Sequence, residues 1–459
     1  MTTYSLAPNL PNDSFNDWTT LALWQGGHVP DTPAAQVFLN DLSPNFYFVQ
    51  VLQGEQISIG SLNMPSNNLV LYGSLSSAGS VTVAPTAGIQ IFGGQLAAQT
   101  LHLNAGPDNN VGIVGVGTVS AAASIFNNSA IISGNAETLS SETTLTVTTP
   151  YLQNNGLLEA SVNSTLTLQI THAGGFANYV SGTLVGGTYE VQTGGVLNLQ
   201  TNGLVYSLSA ELVYDGQGGG TIACYDPASG NYVSLEQTLS LVTQTGKLDL
   251  DAGTYATTGT LTVAGDLEVF GDAQFSAGTL YVTPNGQLNL LLAVPGDGQE
   301  VTGGRVIDAG KIFADGSGGG VAKIDAPVLG GGTITIGPSV TVLNHLMQPV
   351  TTTATLELTK SVANAIQFSD GTGTVILDSP ASVTGHFQNF QAGDRIELPT
   401  LSLSSVTGHS FANGVLTLQE SGNAALHLAF DGNYSAANFT LEAGLNGAGT
   451  ILLGVSSSA

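Results

Sequence analysis

Across residues 259–292, GTLTVAGDLEVFGDAQFSAGTLYVTPNGQLNLLL, apolar and polar side chains alternate in short runs. Leu261 and Val263, Leu267 and Val269, Phe275, Leu280 and Val282, Leu288 and Leu290 point one way, with a glycine-containing corner between runs. Alternation with a period of two places such residues on one face of a strand, whereas an amphipathic helix needs them every three to four positions. The runs recur too closely to leave room for crossover helices. This rhythm predicts an all-β fold, a parallel β-helix whose coil of three strands and three turns takes roughly 20 residues. Right-handed winding is the default expectation for parallel connections.

The same pattern returns at 67–103, 156–170 and 186–199, so the prediction extends from about Val51 to Ile376 and amounts to about 16 coils. Inside such coils Leu, Val and Ile stack, and each backbone N–H finds a carbonyl on the next coil. A solenoid has two open ends, and an uncovered end strand templates aggregation. The stretch DWTTLALWQGGHVP, residues 17–30, holds both tryptophans of the chain just ahead of the first alternating strands. Trp18, Leu23 and Trp24, with Pro30 closing the stretch, are expected to form the lid; the alternative is an aromatic platform for a sugar. From about Gly371 the strands lengthen, as in Val415/Leu416/Leu418 and Leu426/Leu428/Phe430, and Asp370-Gly371 and Asp431-Gly432 carry hairpin chemistry. The expected organisation is an N-terminal cap over 1–50, a parallel β-helix over 51–370 and a C-terminal β-rich cap, for secretion and assembly, over 371–459.

Charge changes what such a body can bind. Charged residues make up 8 % of the chain, against a usual ~25 %, so the surface must be Ser, Thr, Asn, Gln and Gly. No Lys or Arg precedes Lys247, and the formal net charge is −26. Phosphate backbones and anionic lipid surfaces both need Lys and Arg contacts, which argues against nucleic-acid partners. Carboxylates outnumbering cations 32 to 6 make divalent cations the natural counterions, so calcium is the one cofactor to consider. Asp215 in YDGQGGG and Asp315 in ADGSGGG are the calcium candidates, each a single carboxylate beside loop carbonyls. Cys224 is the lone cysteine, which excludes an internal disulfide framework and points to a buried small hydrophobe. The first 15 residues lack a basic segment and an apolar core, and no apolar run reaches the ~18 residues of a membrane span. The expectation is a soluble chain, exported without an N-terminal signal peptide.

The opening segment DWTTLALWQGGHVP, followed by FYFVQV, Gly54 and ISIGSLNM, resembles the start of bacterial secreted β-strand-repeat proteins. The end, GTGTVILDSPASVTGHFQNFQAGDRIELPTL with NGVLTL and FDGNYSAANFTLEA, resembles the terminal module of the same group. That resemblance implies an adhesin-like or surface-layer-like protein of a Gram-negative bacterium, exported through an uncleaved C-terminal signal. The ending GTILLGVSSSA is compatible with that route, whereas the GGxGxDxUx calcium repeats of many such exports are absent from this chain.

Catalytic signatures are sparse. The strings Asn-Thr-Asp, Gly-His-Gly and Arg-Ile-Lys of pectin-degrading β-helices do not occur, nor do HExxH, GxSxG or a P-loop. The densest carboxylate patch is KLDLDAGTY with GDLEVFGD, where alternation puts Asp249 and Asp251 on one face and coil spacing brings Asp272 near them, beside Asp266 and Glu268. The expected function is therefore that of an extracellular structural protein rather than an enzyme: a self-assembling or surface-associated solenoid of surface layer, filament, biofilm matrix or adhesin, with further copies of itself and cell-surface polysaccharide as partners. The alternative is a polysaccharide-acting β-helix enzyme or glycan-binding spike, with its groove near Tyr255, Tyr281 and the 249–272 carboxylates.

Overall fold

The computed structural model describes residues 2–7, 15–40, 48–104, 112–134, 143–291, 298–316, 320–338, 340–343, 349–369, 372–444 and 449–454. The chain is 60 % strand and 4 % helix and winds into a β-solenoid of about 14 turns joined by parallel bridges. The count falls below the expected 16 because several coils make a detour. Tyr179–Val180 folds back on Thr183–Val191, Thr221–Asp226 on Asn231–Ser234, and Val340–Leu343 on Pro349–Thr352, each as an antiparallel pair. No helix among the described residues is long and apolar enough to cross a membrane. The chain forms two compact units, Met1–Thr238 and Leu239–Ala459.

In the first unit parallel stacking starts at Thr2. Thr2–Ser5 lies on Ala35–Phe38, which lies on Ser61–Met64, then Ser80–Val83 and the end of Gly88–Leu103. Strand pairing thus already runs through residues 1–50. Alternation makes one residue in two point inward, and register stacks like on like: Leu62, Val81, Leu101, Ile125 and Leu152 form one column, each no more than 1 % exposed. Each such side chain contributes about 1.5–3 kcal/mol by leaving water. Corners need backbone without a side chain. Gly115 has φ +133°, and a Cβ there would meet the Ile91 carbonyl oxygen at 2.0 Å.

In the second unit the longest column is Leu248, Leu267, Leu288, Ile312, Ile334, Ile366, Phe387 and Phe430. Parallel pairing continues beyond residue 371, with Thr374–Leu377 on Arg395–Leu398 and His386–Gln388 on Leu426–Asp431. Antiparallel pairing takes over from Val406–Ala412, which pairs with Val415–Glu420, itself paired with Leu426–Asp431. The tight turn there is Asn413-Gly414, both at positive φ, the backbone a two-residue hairpin requires. The expected turn at Asp370-Gly371 lies outside the described residues. Thr450–Gly454 covers Arg395–Leu398 antiparallel and pairs with Phe439–Ala443. Phe390, Phe430, Phe439 and Tyr434 pack together over this last coil, and the Tyr434 hydroxyl donates to the Phe390 carbonyl at 2.8 Å.

Candidate functional site

The tryptophan pair sits at the first coil of unit Met1–Thr238. Trp18 and Trp24 are 0 % and 1 % exposed, with ring centroids 4.9 Å apart, and Leu23 and Pro30 are buried with them. Trp18 Nε1 donates to the Pro30 carbonyl at 3.0 Å, Trp24 Nε1 to the Trp18 carbonyl at 2.7 Å, and the Trp18 amide to Gln50 O at 2.7 Å. Buried indoles need such acceptors. Neither ring presents a face to solvent, so neither serves as a sugar platform.

The carboxylate patch of the second unit is differently composed from the expectation. Asp249 and Asp251 do share the outward face of Lys247–Asp251, but the neighbour of Asp249 across the strands is Glu268. Lys247 Nζ lies 2.8 Å from both Asp249 and Glu268. Burial pulls the Lys247 ammonium down, and the two carboxylates more than offset this, leaving its pKa above the usual lysine value. Asp272 is exposed, and its carboxylate accepts from the Gly298 amide at 3.0 Å. Tyr255 is 0 % exposed and stacks on Phe275 in the core, so it lines no groove, while Tyr281 is half-buried. Lys247→Ala leaves Asp249 opposite Glu268, and the expected loss is roughly 1 kcal/mol because the group is about a third exposed. Urea midpoints at low salt should show it, and added salt should shrink it.

The calcium candidates stand apart. Asp215 ends the strand Ser207–Asp215, where burial raises its carboxyl above the usual range. Asp315 follows Lys311–Ala314, and residues 317–319 of its loop lie outside the described residues. Among the described residues no group of three or more His, Cys, Asp or Glu is placed to hold a metal ion. Cys224 is buried and free, and burial pushes its thiol up.

Two concave surfaces of the first unit flank a corner built of asparagine. Asn127 and Asn154 are 0 % exposed and Asn178 is 5 % exposed. Asn127 Nδ2 donates to Asn154 Oδ1 at 2.7 Å and to Leu157 O at 3.0 Å. The Asn154 amide donates to Asn178 Oδ1 at 2.7 Å, and Asn178 Nδ2 to Asn154 O at 2.6 Å. A buried turn has carbonyls and amides that no strand partner reaches, and these side chains satisfy them. The chain neighbours of these asparagines line a groove on either side of the corner.

On one side a groove of about 530 Å³ is lined by Asn128, Asn155, Thr188, Glu190 and Glu211, among others. Glu159, 7 % exposed, is paired across adjacent strands with Glu190. Burial raises the Glu159 carboxyl; the Ser161 hydroxyl bond opposes this, and the nearby Asp215 charge adds to it. Glu211 accepts from the Thr188 hydroxyl at 2.9 Å. On the other side lies a shallow groove of about 550 Å³, lined by Phe126, Tyr151, Ala122, Ala123 and Ala177, among others. Gly175, in the same lining, allows a close backbone approach, since a Cβ there would sit 1.9 Å from the Pro150 carbonyl oxygen.

The alternation of GLLEASVN and TYEVQT does reveal strands, but not that Glu159 and Glu190 would be partners, because the intervening coil carries the Tyr179–Thr183 detour. No family model, curated protein or solved structure matches the chain. Fold and surface define the class, a β-solenoid with capped coils and grooved faces.

Proposed function

We propose that this protein is an extracellular, surface-associated structural solenoid of the adhesin or matrix kind, which works by its faces and associates with further copies of itself. The observation that carries the reading is how the described residues are used: apart from caps and short hairpins they are coil, and their outward positions are chiefly Thr, Ser, Asn and Gln. The covered first coil in one unit and the covered last coil in the other disfavour growth by strand addition. Association then runs side to side, through amide and hydroxyl ladders and through cations bridging an excess of 32 carboxylates over 6 Lys and Arg. The resemblance of both ends to secreted β-strand-repeat proteins supports a place at the surface of a Gram-negative bacterium.

Negative-stain electron microscopy of the purified protein, in calcium and then in chelator, tests this. The expected result is sheets or bundles in calcium that disperse in chelator. Separate particles in both conditions overturn the self-association. The glycan-binding reading has its own support, the exposed rings of the neutral groove, and is taken further below.

A further inference from the structure

The groove beside the asparagine corner is unusual for this surface in being both aromatic and neutral. Its strands, the end of Ile113–Asn127 and the strand Tyr151–Asn154, stack in parallel, and the end of Gly88–Leu103 lies on the first of them, so their outward side chains form rows. His102 lies beside Phe126 in one row, with ring centroids 5.1 Å apart and planes only 9° from parallel. Gln153 follows in the same row, beside Phe126. Tyr151 stands one strand on and two residues back from Phe126, about 8 Å away along the diagonal at strand spacings. His172 packs against Tyr151 at 4.9 Å. Phe126 is 36 % and Tyr151 48 % exposed, a placement that leaves large apolar area in water unless a partner covers it.

We infer that this groove binds a neutral polysaccharide, whose pyranose rings lay their C–H faces on Phe126 and Tyr151. The chemistry of the rings and rim selects that partner. An aromatic face is electron-rich and attracts the weakly positive C–H bonds of a sugar. The Tyr151 hydroxyl, the ring nitrogens of His102 and His172 and the Gln153 amide supply both donors and acceptors, as sugar hydroxyls require. Charge decides the rest. Among the described residues the groove lining includes no charged side chain, while the first 246 residues hold 14 carboxylates and no Lys or Arg. A uronate polymer or nucleic acid meets repulsion without a compensating cation, and a neutral chain meets none. Ala122, Ala123, Ala177, Gly174 and Gly175 share the lining with the rings and add little bulk to it.

This inference rests on the reading of the protein as a surface protein that works by its faces, but it is measured separately from assembly. Affinity electrophoresis and calorimetry would use soluble β-glucan, galactomannan and dextran as neutral probes, with polygalacturonate and a proline-rich peptide as comparisons. The expected result is retardation by at least one neutral polymer and none by polygalacturonate or the peptide. The double variant Phe126→Ala/Tyr151→Ala should weaken that binding about tenfold or more, since it removes both exposed rings. Tyr206→Ala, which removes an exposed tyrosine outside the groove lining, should bind like the parent. Near-equal melting temperatures would show that the variants fold. Binding of polygalacturonate or the peptide alone, no binding of any neutral polymer, or full binding by the folded double variant overturns the inference. Loss of calcium-dependent assembly with glycan binding intact would instead count against the self-association reading alone.

Discussion

Trp18→Ala is expected to destabilise unit Met1–Thr238 by about 3–5 kcal/mol, the range for emptying a fully buried large aromatic site. The indole is 0 % exposed and rests on Trp24 at 4.9 Å. Its Nε1 bond to Pro30 O anchors the 25–30 segment, and the Trp18 carbonyl accepts Trp24 Nε1. Removing the ring therefore loosens both ends of the lid. A second effect follows from the strand edges: the lid lies over the Thr2–Ser5 strand, where the Gln25 amide donates to Ser5 O and the Ala7 amide to Leu23 O. Once these two hydrogen bonds open, backbone groups of the first coil become available to another chain. Chemical denaturation followed by fluorescence should show the loss, and light scattering at moderate temperature should show aggregation absent from the parent. Trp18→Phe keeps most of the packing and should recover part of the stability. A change below about 1 kcal/mol would mean that the coil stack holds without its lid.

Asp308→Asn is expected to change how stability depends on pH. Asp308 is 0 % exposed, on an inward position of the strand Val306–Asp308. Its Oδ1 accepts the Gly310 amide at 2.9 Å and its Oδ2 accepts Asn364 Nδ2 at 2.9 Å. Burial dominates over these two bonds and raises the carboxyl to about 6. The folded protein therefore holds this proton in a range where the unfolded chain, with a carboxyl near 3.8, has released it. The stability contributed by the site is fully present below pH ~4, falls as pH rises from about 4 to 6, and stays lost above. On the order of 2–3 kcal/mol is involved. An amide remains neutral throughout, so the variant should melt above the parent at pH 7 to 8, with the gap closing at pH 4. A constant gap across that range would show that Asp308 titrates normally. Burial also raises Glu159, Asp215, Glu236 and Glu357, so mild acid should favour the folded chain at several sites at once.

Much of the fold is legible in the sequence because alternation is a local property. Leu248, Leu267 and Leu288 are assigned inward by their neighbours alone, and register then places them in one column. The rarity of tryptophan marks the lid in the same way. Parity also contains signals that composition hides: Asp308 follows Val306 by two, which puts a carboxylate inside, and Tyr255 precedes Ala256 on an inward step that removes it from any groove. Surface pairs are harder. Asp249 and Asp251 share a face as alternation demands, but their strand neighbours are Glu268 and Phe270 rather than Asp272.

What the sequence determined by itself was the class of strand, the inward or outward sense of most side chains and the need for covered ends. These follow from the two-residue repeat of extended backbone and from the cost of bare strand edges. The tertiary structure alone decided coil length and register, and with them every meeting of outward side chains: Glu159 with Glu190, His102 with Phe126, Lys247 between Asp249 and Glu268. Corners set that register. Their conformation is chosen by hydrogen bonds to neighbouring coils, such as Asn127 to Asn154, which exist only once those coils have formed.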